Sequence, residues 1–403
     1  MNLELTPHVL VCGTSTRAAA ASAARAGFQV TALDAFADRD QHPSVRALST
    51  SRDFATGSTA SAMARAAASI EADAVVYLSP FENHPRAAAT LAAGRALWGN
   101  SPEALRRVRD PFQLAAALRR SGFAVPRLAH DPNGSNDVND SNDWILKPFR
   151  SGGGNRIRPW SGTRPPRTSY LQERIDGTPG SIVFAAADGR SVPLGLSRQL
   201  VGDSNFGAQG YRYCGSILAP LDDQQFASGR GLFETAAAQA GCVAAEFGLL
   251  GINGLDFVAR DGIPYPIEVN PRWSASVEVA ERAFEAAFFQ AHADVCRSGA
   301  LPAFDCRDSL SRTAAVGRAI VYARHACSVG VTDSWLRDPT LHDVPQSGEC
   351  FSAGQPVCSV LATAADSLTC YRALAGRAER VYADLERAAL ATSAWPPLTK
   401  IAR

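Results

Sequence analysis

Residues 267–272 read Ile-Glu-Val-Asn-Pro-Arg, and their polar members fall at alternate positions: Glu268, Asn270 and Arg272. Successive side chains of an extended strand leave opposite faces, so this spacing puts Glu268 and Asn270 on one face, about 7 Å apart. Ile267 and Val269 are expected to face the core between them. An acid and an amide on one face offer oxygen ligands, and Arg272, set by the preceding proline, adds a planar fork of permanent charge. Phosphoryl transfer to a carboxylate uses both, because charge spreads over the transferring oxygens.

A third ligand stands upstream. In "GLDFVARDGIPYPIEVN" two apolar runs flank Asp261-Gly262, a hairpin signal that predicts antiparallel strands near 254–259 and 265–270. A three-residue turn sets Asp256 opposite Glu268, whereas a strict two-residue turn sets it opposite Ile267. The first register gathers Asp256, Glu268 and Asn270 into an oxygen set suited to Mg²⁺, with Mn²⁺ as an alternative; no His or Cys joins them, which argues against zinc. Alternation alone also describes an exposed hairpin whose polar face meets water, and Arg272 is what turns the reading toward chemistry.

"WILKPFRSGGGNRI" ends an apolar strand on Lys147 and runs into Gly152, Gly153 and Gly154. Such a loop brings backbone N–H groups near phosphate oxygens while the ammonium adds a point charge. GxxxxGK[ST] is absent, so a P-loop is disfavoured. "LQERIDG" then gives a strand end with Glu173, Arg174, Ile175 and a glycine turn.

The elements that must position these groups are of two kinds. "HVLVCG", an Ala-rich helix from about Ser15 to Ala26, "FQVTALD", a helix near 58–69 and "DAVVYLS" alternate as α/β with a parallel sheet, a Rossmann-like N-terminal unit. Gly13 and Asp34 fall at the spacing of a dinucleotide site, but "CGTSTRA" is not GxGxxG, so a NAD-dependent enzyme is disfavoured. A helix "PFQLAAALRRSG", the polar stretch 130–143 and an α+β region from Trp144 to about Ala300 follow. The last hundred residues predict a helix over "AVGRAIVYARHA", short strands and turns, and a helix from about Ser367 to Thr392. Expected domains are therefore 1–100, 101–300 and a small α+β unit at 301–403.

At 403 residues, more than one hydrophobic core is expected. With 40 basic and 39 acidic residues, charge makes no case for nucleic acid or an anionic membrane, and a small-molecule partner is expected. No signal region or membrane-length apolar run stands out, which predicts a cytoplasmic protein. Nine cysteines without a CxxC pair read as reduced core thiols; Cys327 beside His325 lacks an orienting third group for a nucleophile.

In order, the Lys-ended strand with its glycine loop, "LQERIDG", the Asp256 strand and "IEVNPR" resemble the ATP-grasp superfamily, over about residues 101–300. "DVPQSGECFSAGQPVCSV" is similar to the closing segment of biotin-carboxylase-like members. "EVNPRWSASVE" most resembles ATP-dependent carboligases of methanogens and methylotrophs whose genes accompany methanopterin- and methanofuran-type cofactor genes. The resemblance implies a carboxylate–amine ligase using ATP and Mg²⁺ through an acyl phosphate, joining glutamate or another amino acid to a one-carbon cofactor precursor. Lys147 would contact phosphates, Gly152 to Gly154 would form a lid, and Glu173, Arg174 and Ile175 would line the adenine site. Asp256, Glu268 and Asn270 would hold the metal, and Arg272 would steady the transition state. Ser274 and Ser276 are candidates for the acceptor substrate, and Arg198, in "LSRQLVG", is the candidate carboxylate-binding cation. Relatives carry a second phosphate-contacting base before the opening helix; Pro111 stands there in "VRDPFQL", and Arg109 is the candidate substitute. A noncatalytic ATP sensor and a bicarbonate-using carboxylase are the alternatives, and a homodimer is an open one.

Overall fold

The computed structural model describes residues 6–130 and 143–393; most of the polar stretch read as a surface loop lies outside them. The N-terminal unit is a parallel sheet of β1 (His8–Cys12), β2 (Gln29–Asp34), β3 (Val45–Ser49), β4 (Ala74–Tyr77) and β5 (Ala96–Leu97). The order β3-β2-β1-β4-β5 reverses direction between β1 and β4. The loops after β1 and β4 therefore part there and leave a crevice at the carboxyl ends of the strands, the usual place for ligands in such sheets.

Gly13 makes the turn after β1, because a Cβ there would meet Leu78 Cβ at 2.6 Å. Asp34 accepts hydrogen bonds from Thr16 N and Oγ1 and from the Phe36 and Ala37 amides. It organises its own turns and has no oxygen to spare for a ribose, which removes the dinucleotide reading.

Two further sheets follow. One has the order β6-β9-β7-β8, with β6 (Leu128–Ala129), β7 (Trp144–Pro148), β8 (Arg158–Pro159) and β9 (Ser169–Glu173). The other has eight strands in the order β14-β13-β10-β11-β12-β15-β19-β17. They are β10 (Thr178–Ala187), β11 (Arg190–Val201), β12 (Tyr213–Leu218), β13 (Gly251–Arg260), β14 (Ile263–Asn270), β15 (Ala315–Tyr322), β17 (Leu341–His342) and β19 (Pro356–Ala364). All its pairings are antiparallel. A small ribbon pairs β16 (Cys327–Ser328) with β18 (Cys350–Phe351).

The segment "AVGRAIVYARHA" corrects the sequence reading, being strand β15 rather than a helix. It is a central strand between β12 and β19, with the helices Ala275–Phe284 and Ser367–Ser393 packed against it, so its residues are mostly buried and run without clean alternation. Through β15, β19 and β17 the last hundred residues continue the central sheet, and the helix Ser367–Ser393 buries Leu374, Ala378 and Val381 against it. Class is otherwise as expected: a parallel α/β unit, a large antiparallel sheet and a helical C-terminal region. No helix among the described residues is long and apolar enough to cross a membrane, and all nine cysteines are free, five of them buried.

Candidate active site

The β13–β14 hairpin turns through two residues, with Arg260 paired to Ile263 across Asp261 and Gly262, both at positive φ. That turn alone would oppose Asp256 to Ile267. A β-bulge intervenes: Phe257 pairs with Pro266, Asp256 pairs with Glu268, and Ile267 is the extra residue. The register that a metal site requires thus arises from the bulge and not from a longer turn. Ile267 also departs from expectation, lining the cleft instead of the core, and its carbonyl accepts from Lys147 Nζ at 3.3 Å.

Asp256 is 8 % exposed. Burial and the facing Glu268 push its carboxyl up to about 6, while Ser181, Gln199 and Asn270 stabilise its ionised form. Asn270 Nδ2 donates to Asp256 Oδ2 at 2.8 Å, and Asn270 Oδ1 accepts from Arg272 Nη2 at 3.2 Å. Two facing carboxylates, Asp256 buried and Glu268 about a quarter exposed, fit a divalent cation, which would remove their repulsion. Among the described residues no cluster of three or more His, Cys, Asp or Glu forms, so the candidate set is two carboxylates plus the Asn270 amide.

Arg272 is oriented by a residue that sequence reasoning missed. Its Nη2 pairs with Glu82 Oε1 at 2.8 Å, and Glu82 is 1 % exposed. Burial pushes Glu82 up, yet Arg272 more than reverses this and holds it below the ordinary range. Glu82 follows β4 in "SPFENHPR", just past the carboxyl end of a parallel strand; that position was the available signal.

Lys147 on β7 is 3 % exposed and donates to Gln172 Oε1 at 3.1 Å, with no ion pair among those described. Its ammonium therefore has room for an anionic partner. With Asp256, Glu268, Asn270, Arg272, Gly153, Gly154, Arg174, Ile175 and Ser276 it lines one cleft of about 460 Å³. The glycine loop enters from the side: Gly153 and Gly154 have φ of +60° and +75°, and a Cβ on Gly154 would sit 1.7 Å from Tyr211 O. Gly152 borders the neighbouring cavity instead.

Several expected residues lie elsewhere. Glu173 does not line the cleft, since strand alternation points Gln172 inward and leaves Glu173 Oε2 accepting from Arg127 N at 2.9 Å. Arg198 is likewise on the far face of β11, its guanidinium over the Tyr371 ring at 5.9 Å, while its neighbour Gln199 lines the cleft. Arg109 is committed to protein: it donates to Val269 O at 2.8 Å, Ser151 O at 2.9 Å and Asn83 Oδ1 at 3.0 Å, and lies 3.5 Å from Glu268. It braces Glu268 from behind and has no nitrogen left over for phosphate. Pro111 is explained locally, standing at the start of the helix Pro111–Arg120 with Asp110 as its cap.

Ser274 and Ser276 open the helix Ala275–Phe284. Ser276 Oγ lies 3.2 Å from Ser216 Oγ, whereas Ser274 Oγ is buried with no partner. Ser274 also lines a second cavity of about 370 Å³ that shares Gly153, Tyr213, Arg272 and Ala275 with the cleft. This cavity reaches the loops after β1, β2 and β4, through Thr14, Asp38 and Ser79.

Residues 108–276 match the family model of the ATP-grasp domain. No curated protein sequence is significantly similar to the chain. Among solved structures, the chain is similar to biotin carboxylase of Campylobacter jejuni in a β-γ-ATP complex, with a TM-score of 0.67, 14% identity and coverage of 92% of this chain and 90% of that one. It is also similar to the biotin carboxylase domain dimer of Hydrogenobacter thermophilus 2-oxoglutarate carboxylase with MgADP, ADP and bicarbonate, with a TM-score of 0.66, 12% identity and coverage of 92% and 90%. The L-amino acid ligase of Bacillus licheniformis gives a TM-score of 0.61, 14% identity and coverage of 94% and 97%. At these identities the likeness is one of fold. Residues 108–276 thus match the ATP-grasp domain, and the chain as a whole shares the overall fold of these three structures.

Proposed function

We propose that the protein is an ATP-dependent carboxylate–amine ligase that works through an acyl phosphate. The observation that carries this reading is the meeting of Asp256, Glu268, Asn270, Arg272 and Lys147 around one cleft, next to a second cavity large enough for an acceptor. Lys147 holds the phosphates as a point charge in a site with little water. Gly153 and Gly154 bring the loop backbone over them, and Arg174 and Ile175 border the far end where a nucleotide base fits.

Asp256 and Glu268, with the Asn270 amide, would hold Mg²⁺, or Mn²⁺ in its place, which would neutralise charge on the β- and γ-phosphates. Arg272 lines both cavities and its Nε is without a hydrogen-bond partner among the described residues, so that edge would meet the transferring oxygens and the acyl phosphate that results. Ser274, at the start of a helix, lines both cavities and supplies a hydroxyl toward the acceptor, while Ser276 lines the nucleotide cleft beside Ser216. The glycine loop excludes water, which protects the intermediate from hydrolysis until an amine attacks.

The division into 1–100, 101–300 and 301–403 is proposed in the same sense, with the last segment continuing the central sheet. The finer reading, addition of glutamate or another amino acid in biosynthesis of a methanopterin- or methanofuran-type one-carbon cofactor, rests on the resemblance of "EVNPRWSASVE" alone. Glu268→Gln and Arg272→Lys test the site. Each is expected to lower turnover by roughly 10²- to 10³-fold, with the melting temperature within a few degrees of the parent protein. Near-parental turnover in either variant would remove the assignment.

A further inference from the structure

The second cavity contains a carboxylate that the ligase chemistry leaves unused. Asp38, in the loop after β2, is 6 % exposed and lines the cavity, and its Oδ2 is buried without a hydrogen-bond partner among the described residues. A buried ionisable oxygen left unpaired costs several kcal/mol on general grounds, so such groups tend to mark a ligand.

The surroundings say which kind. Asp34, Asp38, Asp40, Glu278 and Asp343 share this region with two buried guanidiniums, Arg17 and Arg318. Four of the five acids are satisfied. Asp34 accepts from Thr16 and two loop amides, and Asp40 accepts from the Asp343 and Val344 amides at 3.0 and 2.8 Å. Glu278 takes Arg17 Nη2 at 2.8 Å, and Asp343 takes Arg17 Nε at 2.7 Å. Arg318 lies between the last two, 3.1 Å from Glu278 Oε2, so both cations are already consumed. Arg282 also lies 3.4 Å from Glu278 and His342 3.1 Å from Asp40, so of the five acids Asp38 is the one that lines the cavity with an oxygen unpartnered among the described residues.

Phe36, Tyr213, Ile320, Tyr322 and Phe351 give the cavity an apolar and aromatic side, next to polar lining that includes Ser79, Glu349 and Ser359. We propose that this cavity binds a small amine whose cationic nitrogen is held by Asp38 and whose body lies against the aromatic wall, with its other end toward Arg272 and Ser274. The binding of this amine does not rest on the ligase reading; only its place beside the acyl phosphate does. Burial, together with Asp343, Asp34 and Asp40, pushes the Asp38 carboxyl well above its ordinary range, a cost that a bound ammonium would relieve. Asp34, Asp40 and Asp343 cannot supply that relief, since all carry the same sign.

The test uses the full chain and three probes of one shape: phenethylamine, phenethyl alcohol and phenylacetate, titrated by calorimetry with and without MgATP. The expected result is saturable binding of the amine at least tenfold tighter than that of the alcohol, with no binding of the anion. In Asp38→Asn that preference disappears while MgATP binding stays at the parental value. Equal binding of amine and alcohol to the parent protein, or no amine binding by protein that does bind MgATP, overturns the proposal, and this comparison stands even if the variant does not fold. Retention of the amine preference in folded Asp38→Asn also overturns it. Amine binding without ADP release on any carboxylate would instead remove the ligase reading and leave this one in place.

Discussion

Replacing Glu82 by Gln keeps the shape of the side chain but leaves Arg272 charged, buried and without its carboxylate. Glu82 is 1 % exposed and the pair is 2.8 Å apart, so little solvent screens the loss. Removing one partner of a buried ion pair costs about 3–5 kcal/mol. Glu82→Gln should fall in that range, and Arg272→Gln, which strands Glu82, should cost a similar amount. The double variant has no buried charge left at this pair, so it should be less destabilised than the sum of the singles by about 2 kcal/mol or more.

The assay is urea unfolding at pH 7.5. The sign of the pH dependence supports that choice: Glu82 sits below its ordinary range when folded, so the stability it contributes is present above the unfolded carboxyl value and is lost as pH falls through the folded one. Single-variant costs that simply add, within about 0.5 kcal/mol, would refute the reasoning. Such a result would mean that Glu82 does not hold Arg272.

The Asp256 carboxyl, pushed up to about 6 from 3.8, gives the opposite sign. Its contribution to apo stability is full below the unfolded value and is lost as pH rises through about 6, whereas Mg²⁺ needs the ionised form. The thermal stabilisation by MgATP should therefore shrink as pH drops below about 6, and a pH-independent shift between 5 and 8 would count against Asp256 as a ligand. At the glycine loop, Gly154→Ala places a Cβ 1.7 Å from Tyr211 O at a φ of +75°, whereas a Cβ on Gly152 meets nothing nearer than Ser79 Oγ at 3.7 Å. Gly154→Ala is expected to weaken ATP binding by about tenfold or more and Gly152→Ala to leave it nearly unchanged, since only the first forces the backbone to move; equal affinities by fluorescence titration would show that the loop does not contact the nucleotide.

What the sequence made legible was local. The spacing of Glu268, Asn270 and Arg272 and the Lys147 strand end needed only period-2 alternation and a proline. The pairing of Asp256 with Glu268 was left open because a turn signal fixes where a hairpin bends and says nothing of a bulge farther along the strands. Arg198 and Gln199 show the same weakness from another side: one step along β11 exchanges the cleft face for the Tyr371 face. β15 was mistaken for a helix because a mostly buried central strand has no alternation to display. The roles of Glu82 and Asp38 were hidden for a different reason, although the place of Glu82 just past a parallel strand was a signal. Their roles depend on which loop ends of the parallel sheet meet Arg272 and the second cavity, a relation between segments distant in the chain.

The central claim is acyl-phosphate chemistry, and hydroxylamine tests it most directly. The purified protein would be given ATP, Mg²⁺ and hydroxylamine with a panel of candidate carboxylates, and ADP and hydroxamate would be measured together. The account predicts ADP release and hydroxamate formation in equal amounts with one carboxylate or a narrow set of them, both abolished in Glu268→Gln. ADP at the ATP-only background for every carboxylate, from protein that binds ATP, would contradict it.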